Sequence, residues 1–370
     1  MSRTLRTLLL GLVSAIALSS AGTAFAAYTT PKLVVNDAKP LGSLTINYTQ
    51  SASDDPSAKL HFFAAQEYQA NVTRPAGTTI GTVTAQGTAA DLAGAELPLT
   101  GTVQVRAANG TYLSGTTQVP IAAAATQCTG TATHTAYWVL ILQVAGQTLE
   151  LPVFVDSPAA PPRAGVDASQ FASASIQACL PPPDVPAGTP GRATFGFKLT
   201  QVAFKVDSVF TSAGTGNPLW RLLATPYTPN TGRPNPAGSV EAQSTVAFPR
   251  SIVLSRPSVK VSKGIATLAI RGNVLSPSGA PVTARLFRGS GPSATTRSIV
   301  LRRAGGTVTG TLRIRQSAKR QTVYLKIRGA ISAGTATCTA TFGVPCLSNN
   351  RASVALSSNS VRVLIPARKR

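Results

Sequence analysis

The chain has 370 residues, 43% of them hydrophobic but only 6% aromatic, with 27 prolines and a formal net charge of +22. Its length allows two or three domains with real cores, while the prolines and the scarcity of helix formers after residue 26 exclude a helical bundle. Abundant Thr, Val, Ser, Ala and Gly point instead to many short strands joined by small turns, an all-β chain.

Arg3 and Arg6, the apolar run Leu8 to Leu18 and the triplet Ala24-Phe25-Ala26 follow the order of a secretory signal peptide. Residues 1–26 are therefore expected to be removed, and the mature chain to be secreted, extracellular or attached to the cell wall. The apolar run is too short to span a hydrocarbon core of about 30 Å, and no later segment is long and apolar enough to be transmembrane.

Strand-like segments follow at Lys32 to Val35, Ser43 to Tyr48, Leu60 to Phe63, Ile80 to Thr84 and Thr102 to Arg106. Leu97-Pro-Leu-Thr-Gly101 matches the cell-wall sorting pentapeptide, yet most of the chain comes after it, so it is read as interior sequence without an anchoring role. Tyr137-Trp-Val-Leu-Ile-Leu142 is apolar at every position, as in a strand buried on both faces, and forms a hairpin with Thr148 to Val155. Further strands are expected at Ala193 to Leu199, Val202 to Val209, Trp220 to Ala224 and Ser239 to Phe248, between Pro-rich loops.

Cys128, Cys179, Cys338 and Cys346 all follow the signal, and an even number of cysteines in an oxidising compartment implies disulfides. Three connectivities are open; Cys128 with Cys179 and Cys338 with Cys346 is favoured, the short second loop closing most easily. No Cys-x-x-Cys occurs, so neither a metal nor another cofactor is expected. With the first pair closed, the Pro-rich stretch Asp156 to Arg163 becomes a loop inside one unit. The domain boundary then moves to Phe248-Pro249, giving an N-terminal β-rich domain of one or two packed sandwiches (27–247) and a C-terminal antiparallel β-sandwich (248–370).

Charge separates these two parts. Eleven basic residues face twelve acidic ones between 27 and 247, a net −1, whereas 248–370 carries twenty-one basic residues, sixteen of them Arg, and no Asp, Glu or His. Period-2 alternation places this charge on strands. Leu312 and Ile314 share one face while Arg313 and Arg315 take the other; Val323, Leu325 and Ile327 oppose Tyr324, Lys326 and Arg328. The intervening loop, 316–321, suggests a hairpin that would gather Arg313, Arg315, Tyr324, Lys326 and Arg328 on one outer face, with Arg302 and Arg303 nearby as further anion-binding candidates.

Catalysis finds less support. His61 and His134 stand in strand-like contexts without the motif of a base or metal ligand, and the C-terminal part holds no carboxylate or imidazole for acid/base chemistry. An exported hydrolase would have to draw on acids of the N-terminal part such as Asp54, Asp55, Glu150, Asp156 and Glu241.

Cys128, Trp138 and Cys179 stand in the order of the Cys, Trp and Cys of immunoglobulin domains, although Gln177 occupies the place of the usual tyrosine. With the signal, the Thr/Ala-rich strands and phrases such as Pro75-Ala-Gly-Thr-Thr-Ile-Gly-Thr82 and Ala224-Thr-Pro-Tyr-Thr-Pro229, the chain resembles exported immunoglobulin-like β-sandwich proteins of actinobacteria. That resemblance implies a fold and no activity. Charge supplies the functional expectation, a secreted non-enzymatic protein whose basic C-terminal domain binds teichoic acid, acidic polysaccharide or nucleic acid. A structural or adhesive module contacting other proteins is the alternative.

Overall fold

The computed structural model describes residues 28–38, 43–144, 146–162, 165–212, 218–246, 252–274, 282–304, 306–332, 337–351 and 353–368. The expected signal peptide and the expected boundary at Phe248-Pro249 lie outside these residues. The strands are β1 Lys32–Ala38, β2 Ser43–Thr49, β3 Ser57–Ala65, β4 Tyr68–Ala70, β5 Thr79–Ala89, β6 Ala95–Arg106, β7 Thr111–Ser114 and β8 Thr117–Pro120. After helix α1 Ile121–Thr129 come β9 Ala136–Val144, β10 Gln147–Asp156, β11 Ala172–Cys179, β12 Phe197–Asp207, β13 Phe210–Ser212, β14 Leu219–Thr228, β15 Arg233–Pro234 and β16 Val240–Thr245. The remainder are β17 Ile252–Leu254, β18 Ser258–Ser262, β19 Ile265–Val274, β20 Val282–Gly289, β21 Thr296–Ala304, β22 Thr307–Arg315, β23 Gln321–Ser332, β24 Cys346–Arg351, β25 Ser353–Ser357 and β26 Val361–Ile365.

The all-β, mainly antiparallel class matches the sequence reading. One continuous sheet runs β1-β2-β12-β5-β6-β9-β10-β11-β3-β14-β16-β24. It curls until its ends meet, the Val35 amide donating to Ser244 Oγ at 2.9 Å, so the first domain is a closed, barrel-like body around one core. Alternate residues point inward: Val35, Ile46, Phe62, Trp138, Phe204 and Trp220 share that core. Trp220 meets Tyr68 and Phe210 edge-on at 5.4 and 5.3 Å, the arrangement ring quadrupoles favour.

Several strands bury their outer faces too. The expected hairpin of β9 and β10 is present, and β9 is buried on both faces as its sequence implied. Trp138 and Leu140 point into the barrel, while Tyr137 and Val139 pack under α1 against Ile121, Ala124 and Ala125. This helix went unread in an otherwise β-like chain. Its local signals are an alanine run, Ala122 to Ala125, and Gly130, whose left-handed φ of 86° ends the helix while its amide donates to the Thr126 carbonyl. Cys128 sits on α1 and bonds Cys179 at the end of β11, as expected; two facing strands therefore do not carry this pair as they do in an immunoglobulin domain. The sorting-like pentapeptide lies inside β6, where a Cβ on Gly101 would stand 1.9 Å from the Ile141 carbonyl oxygen; only glycine fits there. The two expected strands at 193–199 and 202–209 are mostly one, β12, with a register shift between Leu199 and Gln201.

The second sheet runs β17-β19-β22-β21-β20-β23-β25, with β18 also on β19 and β26 also on β23. Leu268, Leu286, Leu312, Ile314, Leu325, Ile327 and Val363 fill its core. A Cβ on Gly272 of β19 would lie 2.7 Å from Ile327 Cδ1 of β23, so these strands face each other across a thin interior. The expected hairpin of β22 with β23 is not formed. β22 pairs with β19 and β21, whereas β23 pairs with β20, β25 and β26, so the loop between them crosses from one layer to the other.

After β23 the chain also leaves this sandwich. Residues 338–346 form a hook closed by the expected Cys338–Cys346 disulfide, β24 then pairs in parallel with β16, and the chain returns as β25. The hook and β24 thus belong with the barrel, although they follow the charge boundary.

Candidate anion-binding faces

Register and alternation determine where the basic residues go. On the layer of β18, β19, β22 and the end of β21, one row reads Arg302, Thr309, Arg271 and another Arg313, Thr267, Lys260; Arg315 pairs with Ile265 in the next row. All five of these cations are exposed. Arg303 alternates to the other side: it pairs with the fully buried Val308 and is itself half-buried. It does not join Arg302.

The opposite layer carries Tyr324, Lys326 and Arg328. Its first outer row is Val300, Arg285, Arg328 and Ser357; the next is Arg297, Phe287 and Lys326; the third is Gly289, Tyr324 and Arg362. Because the inner residues of both layers share one core, these two outer faces look away from each other. The single cluster expected from the hairpin is therefore two clusters, Arg302, Arg313 and Arg315 on one side and Tyr324, Lys326 and Arg328 on the other. Arg271, Lys260, Arg285, Arg297, Arg362 and Phe287 went unnamed at the sequence level. Alternation in β19 and β20 marks some of them as outward, but which strand lies beside which is not written in one strand's residues.

The two faces differ in character. The second is partly ordered: Arg328 Cζ stands 4.9 Å over the Phe287 ring, and its Nη2 donates to the Ser293 carbonyl at 2.9 Å. Arg285 and Arg328 are directly opposed cross-strand partners, a placement in which like charges repel.

Among the described residues, the acids of the barrel that pair with Lys or Arg do so within it. Arg106 pairs with Glu150 at 2.9 Å, Arg192 with Asp91 at 2.7 Å and Lys205 with Asp207 at 3.6 Å, each within the first domain. Glu241, 0% exposed, meets the C-terminal region through a backbone amide rather than a cation: Oε2 accepts from the Thr341 N–H at 2.6 Å, and Oε1 from Gln243 Nε2 at 2.8 Å.

The histidines are structural in their surroundings. His134 Nδ1 bonds Asp156 at 3.0 Å and Nε2 bonds Thr129 Oγ1 at 2.9 Å, the connectivity of a hydroxyl relay. Its ring, however, stacks on Phe154 at 5.2 Å with the side chain 1% exposed, and Thr129 Oγ1 also contacts the carbonyls of Ala125 and Thr131. This network ties α1 to β10. His61 is buried against Phe63 at 4.1 Å, and burial, with the charge of Lys59 second, holds its pKa well below 6.5. The folded protein then keeps His61 neutral while the unfolded chain protonates it below pH 6.5, so stability falls with acidification by about 1 kcal/mol per pH unit. We expect the unfolding free energy of His61→Phe to vary less than that of the parent between pH 6.5 and 5, measured in urea; equal pH slopes would show that His61 is not held neutral.

Among the described residues no cluster of His, Cys, Asp and Glu could hold a metal ion, and no helix is long and apolar enough to cross a membrane. Neither a family model nor a curated protein matches the chain.

Proposed function

We propose that this is a secreted, non-enzymatic protein that binds anionic polymers, whether teichoic acid, acidic polysaccharide or nucleic acid, through the outer faces of its C-terminal sandwich. One observation carries the reading: cations occupy neighbouring outward positions on both layers of a region that has no acid of its own to neutralise them. The barrel, whose pairs Arg106–Glu150, Arg192–Asp91 and Lys205–Asp207 are internal, serves as the body to which that sandwich is fastened.

Titration of the intact protein with heparin as a model polyanion tests this. Binding is expected at low ionic strength, with log K falling linearly as log salt rises, and a slope of about −4 if one five-cation face is engaged, by analogy with phosphate neutralisation. An absence of binding at low ionic strength, or binding insensitive to salt, would overturn the proposal.

A further inference from the structure

We propose that the β20–β23–β26 face is a docking surface for single-stranded nucleic acid, an inference that rests on the polyanion reading above and names its ligand. Both outer faces attract anions by charge, but only this one interleaves rings with cations. Phe287 and Tyr324 lie among Arg285, Arg297, Lys326, Arg328 and Arg362, whereas the rows of the other face place threonine and isoleucine between their cations. Single-stranded nucleic acid offers two chemistries at regular intervals, a phosphate charge and an apolar base face, and binding surfaces for it combine a cationic track with stacking platforms. Tyr324, Lys326 and Arg328 are alternate residues of one strand, about 6.8 Å apart in sequence along it, so ring, ammonium and guanidinium succeed one another on a single line.

Arg328 is the most prepared of these groups. Phe287 supports one face of its guanidinium and the Ser293 carbonyl fixes one end, which leaves a planar cation already ordered before a base stacks on it. Its opposed partner Arg285 raises the local potential at the same row, and a phosphate lying between the two would relieve their repulsion. Arg362 stands across from Tyr324 in the third row, where it can take the phosphate next to a base stacked on the tyrosine ring. A polysaccharide sulfate or a teichoic acid satisfies the cations but has no base for the rings.

The test compares a labelled oligothymidylate, an abasic phosphodiester chain of equal length and heparin, each titrated by fluorescence anisotropy with the intact protein. Oligothymidylate should bind at least tenfold more tightly than the abasic chain. Tyr324→Ala should weaken oligothymidylate about five- to thirtyfold and leave the abasic chain within about twofold, because stacking is lost and charge is kept. Arg285→Gln with Arg362→Gln should lower the magnitude of the salt slope by about 1.4, which keeps the question decidable if Tyr324→Ala fails to fold. Arg313→Gln with Arg315→Gln, on the opposite face, should lower the oligothymidylate slope less than the Arg285/Arg362 pair does. Equal affinity for the abasic chain, an unaffected Tyr324→Ala, or a larger loss from the Arg313/Arg315 pair would overturn this inference while leaving polyanion binding intact. Failure to bind all three probes would overturn both.

Discussion

Glu241→Ala is expected to destabilise the protein by about 3–5 kcal/mol, the usual cost of deleting one member of a buried charged network. The carboxylate is fully buried, accepts from the Thr341 amide and from Gln243, and lies 3.9 Å from Arg221 Nε. Arg221 in turn donates to Thr341 Oγ1 at 3.0 Å and stands over the Phe171 ring at 4.6 Å. Removing the carboxylate takes a partner from a half-buried guanidinium and from the half-buried Thr341 amide at the same time, and the hook that both hold loses its seat. Phe342 from the hook packs on Phe63 at 4.9 Å and on Phe171 at 5.8 Å, so the damage reaches the outer face of β3 as well. Urea unfolding should report the loss, and hydrogen exchange should show faster exchange confined first to residues 338–351. Glu241→Gln, which keeps an acceptor for Thr341, should lose less. A stability within about 1 kcal/mol of the parent for Glu241→Ala would mean that the hook is held by β24 pairing alone.

This clasp illustrates what one chain's residues do and do not disclose. The strands were readable because their alternation and apolar runs are local properties: β2, β3, β9 and β10 stand where period and β-branched content put them. Double burial of β9 was readable too, since all-apolar Tyr137 to Leu142 leaves no face for water, but its cover, α1, was hidden among β-like surroundings. The functional faces depended on something less local. Arg313 and Tyr324 were each correctly placed as outward, yet assigning them to one surface required knowing that the loop at 316–321 turns tightly, and it instead carries the chain across the sandwich. Gln316 shows why: it is buried, and its Nε2 donates to the Pro366 carbonyl at 2.8 Å, which holds the loop's start against the chain beyond β26 rather than in a turn. The return of β24 to the barrel was equally silent, because Cys346-Leu-Ser-Asn-Asn-Arg351 contains neither the charge pattern of its own region nor an apolar stripe.

That excursion also bears on how the basic faces are presented. A single connection near residue 248 would leave the sandwich to orient itself, whereas the hook and β24 add two more crossings, one out after β23 and one back before β25, with Glu241 N–H donating to the Pro345 carbonyl and Gln243 Nε2 to that of Thr339. Three crossings restrict hinge motion between the bodies more than one would. On the reading proposed above, a polymer on the β20–β23–β26 face would lose less ordering entropy on binding than it would on a freely hinged sandwich.

Removing the Cys128–Cys179 disulfide should cost about 4 kcal/mol, because the bond closes a loop of 51 residues and releasing it returns that closure entropy to the unfolded chain. The same model assigns about 2.5 kcal/mol to Cys338–Cys346, whose sequence separation is 8. The double variant Cys128→Ser with Cys179→Ser is thus expected to unfold at lower urea than Cys338→Ser with Cys346→Ser. Native contacts enlarge the difference. Cys128 fastens the end of α1 to β11, and α1 is the lid that keeps Tyr137, Val139 and Phe154 from water. Loosening it exposes apolar surface that costs about 25 cal/mol per Å² to hydrate. The second bond closes a hook that Glu241, Gln243 and Phe342 already hold in place. Its loss should therefore show mainly as faster exchange in residues 338–346, with the unfolding midpoint moving less. If the two double variants lose equal stability, or if the Cys338/Cys346 pair loses more, the barrel is not held by its long loop and α1 is not its fastening point.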